Sequence, residues 1–543
     1  MDMDKASSGH NRLIGGDASD IRIAHAHRKS RRGLPRPSWR EVLALGFFVV
    51  FLAAWAVASP VASSPDEDFH LASIWCAQGD RDLACKVSDD GAVYEIPPAV
   101  RHAPCFAFHP EIPGSCQVTT NVREDDVFVA TDRGNFGAHA GEYPGEFYSM
   151  MSLFVGPDVA RSVIVMRLVN VLIMASMVAV TYAASSLRAR RALVATVGTT
   201  LIPLGAFIVP SINPSSWAVI SAATLLFAVS GFMVARERGR MITLGTVAVI
   251  ALGLGAGARA DAAAYAIIAI GAATVTAMST MASPWNRRTL GRLVLPVCLA
   301  VVAGVSYLTA GQASAAGQSA GRGPSEFLFV SLDTLSLWVG SFGLSPLGWF
   351  DTPLPSVVWV PVAAVFFAVI FVAMSAVGRW RGAMVAFVAL SAFVLPTYIQ
   401  ASAVEPIGSV QPRYIYPLLI VLMAVATLST EQREFVLSPV QRWIIVGVLS
   451  AANSVALYET LRRFVTGTSV RQLRLAPGDW WWSSVPFSSE MVWAAGSTGF
   501  FVALALASRV LVRRVSAEDP MAGVETETAS RTESDRSSFA CPA

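Results

Sequence analysis

Three carboxylates and an imidazole stand close together near the start of the chain. They belong to Ser64-Pro65-Asp66-Glu67-Asp68-Phe69-His70, which follows the first apolar run of membrane-spanning length, Trp39 to Ser59. A carboxylate can deprotonate an attacking hydroxyl, and crowding beside a low-dielectric surface raises its proton affinity. A histidine can act as a second acid or base, or bind phosphate. We therefore expect proton transfer at a membrane surface, with the catalytic candidates Asp66, Glu67, Asp68 and His70.

The same residues have a simpler interpretation as the start of a helix. Ser64 would cap the helix and Pro65 would occupy its first position, where proline is favoured. The carboxylates would then interact with the helix dipole. The two interpretations are compatible.

Two arginines in later external turns are candidates for binding an anionic substrate. Arg259 stands beside Asp261 in a very short turn, and Arg413 stands at the mouth of a later apolar run. A guanidinium fork can pair with phosphate oxygens at the depth of lipid headgroups. The alternatives are a local Arg259–Asp261 pair and an Arg413 that snorkels to headgroups.

A run of three tryptophans, Trp480-Trp481-Trp482, lies in the last external loop. Aromatic faces stack on sugar rings, so Trp481 is a candidate for contact with a sugar. Tryptophan is also common in the aromatic belts at membrane interfaces, which is the alternative interpretation.

These residues sit in a chain with the composition of a membrane protein. The 543 residues are 54% hydrophobic and 15% charged, with a mean hydropathy of +0.52. Soluble domains carry about 25% charged residues. Repeated apolar runs of about 17 to 22 residues predict an all-α polytopic fold, since lipid offers the backbone no hydrogen-bond partners. The basic residues are scattered in short loops, so we expect no nucleic-acid partner.

The apolar runs predict about twelve transmembrane helices, between residues 39 and 514. The expected crossings are about 41–59, 162–186, 192–210, 215–235, 241–257, 262–281, 293–311, 356–377, 383–403, 414–429, 442–461 and 491–512. Arginines cluster in alternate connections, as the positive-inside rule requires. This predicts a multi-pass plasma-membrane protein with cytoplasmic termini and an external loop over 60–160. The first run could instead be a cleaved signal peptide, although its long basic leader is unusual for one.

The polar tails 1–38 and 515–543 are predicted to be disordered. Residues 312–355 and 462–490 are predicted to be external. Within the first of these, residues 327–338 suggest an amphipathic helix on the outer interface or a re-entrant segment.

Four cysteines fall in the first external loop: Cys76, Cys85, Cys105 and Cys116. In an oxidising compartment they would form two disulfides. Three pairings are possible, of which Cys76–Cys85 with Cys105–Cys116 closes the shortest loops. A zinc site is the competing interpretation, although no Cys-x-x-Cys spacing is present.

Several of these motifs resemble one known family. Pro65-Asp66-Glu67 followed by His70 resembles the Pro-Asp-Glu-x-x-His signature of a bacterial membrane-protein family, domain of unknown function 2142. Tyr143-Pro144 with Phe147-Tyr148, Asn213-Pro214, and Gln411-Pro412-Arg413-Tyr414 resemble later family motifs. The resemblance spans most of residues 40–430. Asp68 stands where the family usually has proline, and the cysteine-rich insert after Trp75 is unusual.

The resemblance implies a GT-C-like fold, because the family is grouped with the GT-C superfamily of polyprenyl-phosphate-sugar-dependent glycosyltransferases. In that superfamily an acidic residue of the first loop acts as the catalytic base or positions the acceptor. The expected substrate-binding residues are Arg259, Asp261, Asn213, Gln411, Arg413, Tyr414, Tyr143 and Trp481. The expected partners are a polyprenyl-phosphate-linked sugar donor, an envelope glycan, lipid or protein acceptor, and membrane lipids.

Three functions are consistent with the sequence. The leading hypothesis is a glycosyltransferase at the external face; the others are a multi-pass transporter or flippase of an envelope precursor, and a non-catalytic envelope scaffold. The chain has no ATP-binding phosphate loop and no run of intramembrane acids. A divalent metal ion is a possible cofactor, but one loop offers few certain ligands. A surface groove holding Asp66 and Arg413 together would favour the enzyme.

Overall fold

The computed structural model describes residues 37–512, with gaps at 83, 122–127, 282, 312–323, 376–377, 403–409, 429–433, 471–474, 476–479 and 483–484. Apart from Pro37 and Ser38, the predicted disordered tails lie outside these residues. The described part is mostly helical. Twelve of its helices are long and apolar enough to cross a membrane, which confirms the predicted number.

In chain order, the helices are α1 Trp39–Val57, α2 Glu67–Trp75, α3 Pro98–Arg101, α4 Cys116–Asn121, α5 Glu146–Met151, α6 Val159–Ala184, α7 Leu187–Ile208, α8 Ser215–Val234, α9 Arg238–Ala256, α10 Ala260–Met278, α11 Arg287–Thr309, α12 Pro324–Val339, α13 Ser356–Met374, α14 Arg379–Ser402, α15 Pro412–Thr427, α16 Pro439–Val465 and α17 Ser489–Ala507. Wider turns at Gly340–Leu344 extend α12, and short 3-10 turns lie at Gly137–His139, Ser152–Phe154 and Ser508–Leu511.

Helix starts are marked by polar caps in the sequence. At α1, the Ser38 side chain accepts from the backbone of Glu41, whose carboxylate accepts in return from the Ser38 backbone. Ser438 and Gln441 repeat this capping box at α16. Each box satisfies backbone N–H groups that the first helical turn leaves without partners.

Both capped ends lie at one end of the helix bundle, which we call the basic face. Glu41 there is 3.8 Å from Arg190, and Glu434 pairs with Arg188 and Arg191. Arg292 donates to two carbonyls at the end of α8, at 2.6 Å each. The opposite end, which carries residues 58–158, is called the loop face. These four arginines, from two of the connections that predicted the crossings, therefore lie at one face.

The predicted crossing at 414–429 differs from the observed helix. Helix α15 has 16 residues, and all of them except Tyr414 are buried. It is too short to count among the twelve candidate spans, and Phe327–Leu344 takes its place in that number. Hydropathy did not separate the two cases, because a helix buried among other helices is as apolar as one that faces lipid.

Described residues on either side of α12 make contacts at the loop face. Gly311, before it, lies against the backbone of Gly141, and Trp349, after it, donates to the Ala62 carbonyl at 2.9 Å. Between these points Trp338 donates to the carbonyl of Ala392 within α14. Helix α12 thus packs against α14, and by length and composition it is one of the twelve candidate spans. The amphipathic or re-entrant segment at 327–338 stays a prediction.

The loop face is built on a small sheet and two disulfides. Strands β1 Lys86–Val87, β2 Tyr94–Ile96 and β3 Val129–Thr131 form an antiparallel sheet in the order β1-β2-β3, with Glu95 opposite Ala130. The disulfides are Cys76–Cys85 and Cys105–Cys116. The structure thus confirms two disulfides, in the pairing that closes the shortest loops, and these four cysteines hold no zinc.

Candidate functional site

Asp66 ends the turn-rich connection after α1 and immediately precedes α2. Its backbone is left-handed, with φ of 59°, and its side chain does not cap the helix. The predicted cap by Ser64, with Pro65 in the first helical position, is therefore wrong, because the helix begins at Glu67. The left-handed turn leaves the carboxylate of Asp66 and the carbonyl of Pro65 free to meet other elements.

Arg413, at the start of α15, meets both of these groups. Its guanidinium donates to the Pro65 carbonyl at 2.8 Å and to the carboxylate of Asp66. Asn213, in the turn before α8, donates to the same carbonyl at 2.8 Å. Its own side-chain oxygen accepts from the backbone of Ser215. Three motifs that are far apart in sequence therefore converge on one turn.

A second arginine lies beside this junction. Arg259 forks onto both carboxylate oxygens of Asp261, at 2.8 and 2.7 Å. Its guanidinium carbon is 4.7 Å from the ring centre of Tyr414 and 5.7 Å from that of Tyr143. Arg413 is 5.1 Å from the ring of Tyr414. Two buried guanidiniums thus share one aromatic ring, and each is also paired with an aspartate.

The charge state of Asp66 follows from its neighbours. Burial alone would raise the pKa of its carboxyl, but the positive charge of Arg413 and further charged neighbours hold that pKa below its usual value. Asp66 is therefore ionised at neutral pH. Burial raises the pKa of Tyr143, so its phenol stays protonated.

His70 is buried behind Asp66. Its Nδ1 lies 3.0 Å from the hydroxyl of Tyr148, and its ring meets that of Tyr143 edge-on at 5.3 Å. Burial lowers the pKa of His70 to about 3, although Asp66 opposes the shift. The imidazole is therefore neutral at ordinary pH and carries no charge for a phosphate.

Glu67 points into the protein, away from Asp66. It is fully buried and pairs with Arg167 of α6 at 3.1 Å. Arg167 also donates to the carbonyls of Ala56, Ser59 and Pro60, at 2.7 to 2.9 Å. A buried charge needs this full set of partners. The pair fixes the connection between α1 and α2, and so the place of Asp66.

Asp68 faces the surface of the loop. It pairs with Arg133, whose Nε lies 2.8 Å from its carboxylate and whose side chain is half exposed. The three neighbouring carboxylates therefore have three different arginine partners. Of the three, Asp66 is the one that meets Arg413 and faces the two-arginine cluster.

A small cavity of about 30 Å³ adjoins the junction. Pro65, Gln411 and Arg413 line it together with apolar residues, among them Leu204 and Phe350. The side-chain oxygen of Gln411 and the Nε of Arg413 are buried, and neither has a hydrogen-bond partner among the described residues. One acceptor and one donor of residues that line the cavity are thus left without a partner.

Trp481 is not brought to the site. It is buried against Phe464 and Trp480, with ring centres at 6.1 and 4.6 Å. The neighbouring Trp482 donates to the carbonyl of Val57 at 2.8 Å. The tryptophans pack beneath the first loop, where their size fills space between helix ends.

No group of three or more His, Cys, Asp or Glu side chains that could hold a metal ion occurs within residues 37–512 as described. Asp66, Glu67 and Asp68 each face an arginine. The possible divalent ion stays a prediction.

Sequence reasoning missed Arg167 and Tyr148. A usable signal existed for Arg167, because it is a charged residue inside an apolar helix, and such residues are paired or functional. Tyr148 was noted as part of a motif, but nothing in the sequence indicated its contact with His70.

The apolar helices and the disulfide-bonded loop define an integral membrane protein. The chain belongs to the family described as predicted membrane protein (DUF2142), whose profile matches residues 48–422. That range contains Asp66, Asn213, Arg259 and Arg413. No curated protein and no solved structure matches the chain.

Proposed function

We propose that this protein is a GT-C-like glycosyltransferase that moves a sugar from a polyprenyl-phosphate carrier to a cell-envelope acceptor. The observation that carries the proposal is the contact between Asp66 and Arg413, with Arg259 beside it. It joins a carboxylate to a cluster of positive charge at the end of an apolar bundle. A lipid-linked phosphate sugar carries its charge at that depth.

The donor phosphate would bind at the two arginines. Arg413 has a buried Nε–H without a partner, and it lines the cavity beside Pro65. Charge-assisted hydrogen bonds from guanidinium to phosphate are among the stronger polar contacts in proteins. The ring of Tyr414 lies within about 5 Å of both guanidiniums, at 4.7 Å from Arg259 and 5.1 Å from Arg413. Arg259 is paired with Asp261, so it would act on the phosphate through its electric field rather than through a hydrogen bond.

Asp66 would be the general base. The acceptor hydroxyl attacks the anomeric carbon of the sugar, its O–H bond breaks, and the proton passes to the Asp66 carboxylate. The bond from that carbon to the phosphate oxygen breaks, and polyprenyl phosphate leaves with the electron pair. The approach of a phosphate to Arg413 raises the pKa of Asp66, because it offsets the positive charge that lowers it. Donor binding therefore prepares the base.

The other candidates have supporting roles in this proposal. Glu67 holds the α1–α2 connection through Arg167, and Asn213 fixes the carbonyl of Pro65. His70 supports Tyr148 as a neutral ring. Gln411 offers its free oxygen to a substrate hydroxyl.

The sidedness belongs to the proposal as well. By the positive-inside rule, the arginines at the basic face support a cytoplasmic position for that face and for both termini, with the protein in the plasma membrane. The site then works at the external face, where lipid-linked sugars and envelope acceptors meet.

The test is transfer of radiolabelled sugar from polyprenyl-phosphate donors in membranes of a deletion strain. Restored transfer by the wild-type chain, lost with Asp66→Asn but kept with Asp68→Asn, supports the enzyme. Asp68 is the matched control because it is the neighbouring carboxylate on a surface pair. A deletion strain with normal envelope glycans and no accumulated lipid-linked sugar would contradict both the enzyme and the precursor transporter and would leave the scaffold alternative.

A further inference from the structure

Four residues other than glycine have left-handed backbones among the described residues, and all four lie near the site. They are Ala62, Asp66, Phe108 and Phe350. The carbonyl of Ala62 accepts from Trp349, which precedes Phe350 and meets the ring of Phe108 at 5.2 Å. Left-handed backbone is costly for bulky residues, and such strain clusters at functional sites. The two phenylalanines are the unexpected members of this set.

Both phenylalanines project their rings from the protein. The side chain of Phe108 is 67% exposed and that of Phe350 is 42% exposed. Their turns lie at the loop face, outside the membrane-spanning helices. An apolar ring on such an exposed, strained turn gains little from burial, so folding alone does not explain it.

One buried arginine fixes both turns. Arg463, at the end of α16, donates through Nη2 to the carbonyls of Phe106 and His109, at 2.9 and 3.1 Å. The same nitrogen pairs with Asp351 at 2.7 Å. Phe106 and His109 lie on either side of Phe108 in the chain, and Asp351 directly follows Phe350. The guanidinium therefore fixes the two turns that carry the exposed rings relative to each other, and a functional surface needs such a fixed geometry.

The aromatic surface continues into the candidate site. Phe350 lines the cavity that Pro65 and Arg413 also line. Phe350 therefore borders the same cavity as Arg413, the hydrogen-bond partner of Asp66, and as Pro65, the residue before Asp66. Lipid anchoring by the two rings would require no such continuity.

We propose that Phe108 and Phe350 form a docking surface for a carbohydrate acceptor. The negative face of each ring attracts the weakly positive C–H face of a pyranose. A glycan laid across these rings would present its hydroxyl toward Asp66. The inference rests on the proposed function for its orientation, but binding of a glycan does not require catalysis.

The first experiment measures binding alone. Saturation-transfer NMR is recorded on the full-length protein in nanodiscs with four probes: linear oligosaccharides of glucose, mannose, galactose and N-acetylglucosamine. We expect at least one probe to bind, with about tenfold weaker binding in Phe108→Leu and in Phe350→Leu. Trp at either position, which keeps a flat face, should restore binding. Phe487→Leu is the matched control, because Phe487 is an exposed phenylalanine that does not line the cavity.

The second experiment measures the acceptor dependence of sugar transfer in the same variants. We expect about a tenfold rise in the acceptor KM of Phe108→Leu and Phe350→Leu, with an unchanged donor KM. If a probe binds but the wild-type protein transfers no sugar, the proposed function is wrong and the docking surface is retained. Transfer by the wild-type protein with equal KM values in all variants would overturn the docking surface and leave the function. Absence of both binding and transfer would overturn the two together.

Discussion

Arg413 and Asp66 stand 347 positions apart in the chain and meet in one hydrogen bond. The arginine opens a short buried helix, and the aspartate closes the connection that follows α1. The contact thus joins the first membrane segment to a late one. Its ends are the two residues on which the proposed chemistry depends, so they are the first to test.

Asp66→Asn is expected to abolish most activity while the protein still accumulates. Asparagine nearly preserves the volume and tolerates left-handed backbone, so the turn is kept. It cannot accept a proton, and loss of a general base costs about a hundred- to ten-thousand-fold in rate. Sugar transfer in membranes measures the effect. Equal activity of Asp66→Asn and wild type would remove Asp66 from the reaction.

Arg413→Lys is expected to weaken donor binding. Lysine keeps the charge but cannot reach the Pro65 carbonyl, Asp66 and a phosphate with one planar fork. The donor KM should rise about tenfold or more, with a smaller change in acceptor KM. Arg133→Lys, at the surface pair with Asp68, is the control. A donor KM unchanged in Arg413→Ala would exclude Arg413 from the donor site.

Glu67→Leu is expected to destabilise the protein. The change leaves the buried Arg167 without its counter-charge, which costs about 3–5 kcal/mol. Asp68→Asn breaks a half-exposed pair and should cost less than about 1 kcal/mol. Thermal unfolding in detergent compares the two. Similar midpoints would show that Arg167 is satisfied by its carbonyl partners alone.

Stability should fall as the pH falls below 6.5. The unfolded chain protonates His70 near its ordinary pKa of about 6.5, whereas the folded protein keeps it neutral down to about 3. Protons therefore favour unfolding through this window, by about 2 kcal/mol at pH 5. Asp66 adds a similar effect only at lower pH, because its pKa lies below its usual value.

Unfolding midpoints between pH 5 and 7.5 measure this dependence. His70→Gln should flatten the curve, and His102→Gln, at an exposed histidine, should leave it unchanged. A curve of equal slope in all three proteins would contradict the neutral buried imidazole.

The four loop cysteines should react only after reduction. In intact cells a membrane-impermeant maleimide should label the loop once a reductant has opened Cys76–Cys85 and Cys105–Cys116. Variants with each pair replaced by serine assign the signal. Labelling that requires permeabilised cells would place the loop face in the cytoplasm and reverse the proposed orientation.

The sequence predicted most of the helices, and it also indicated that Asp66 and Arg413 belong to one site. The two predictions depend on different signals. Apolar length and arginine asymmetry are local signals, so they located most crossings. The cysteine count indicated the disulfides, and the family motifs indicated the site. Local signals did not reveal that α15 is buried, that Glu67 faces Arg167, or that Trp481 is packed away. Those outcomes depend on which helices become neighbours, and a single sequence does not report neighbours.

Arg463 and Trp482 lie beyond residue 422, where the match to the family ends, yet both hold the region before it. Arg463 ties down the turns around Phe108 and Phe350, and Trp482 secures the end of α1 through Val57. A truncation after residue 422 would therefore remove contacts that hold the candidate site in place. The smallest piece that could retain the site includes α16 and the tryptophan run, so the boundary of similarity is not the boundary of independent folding.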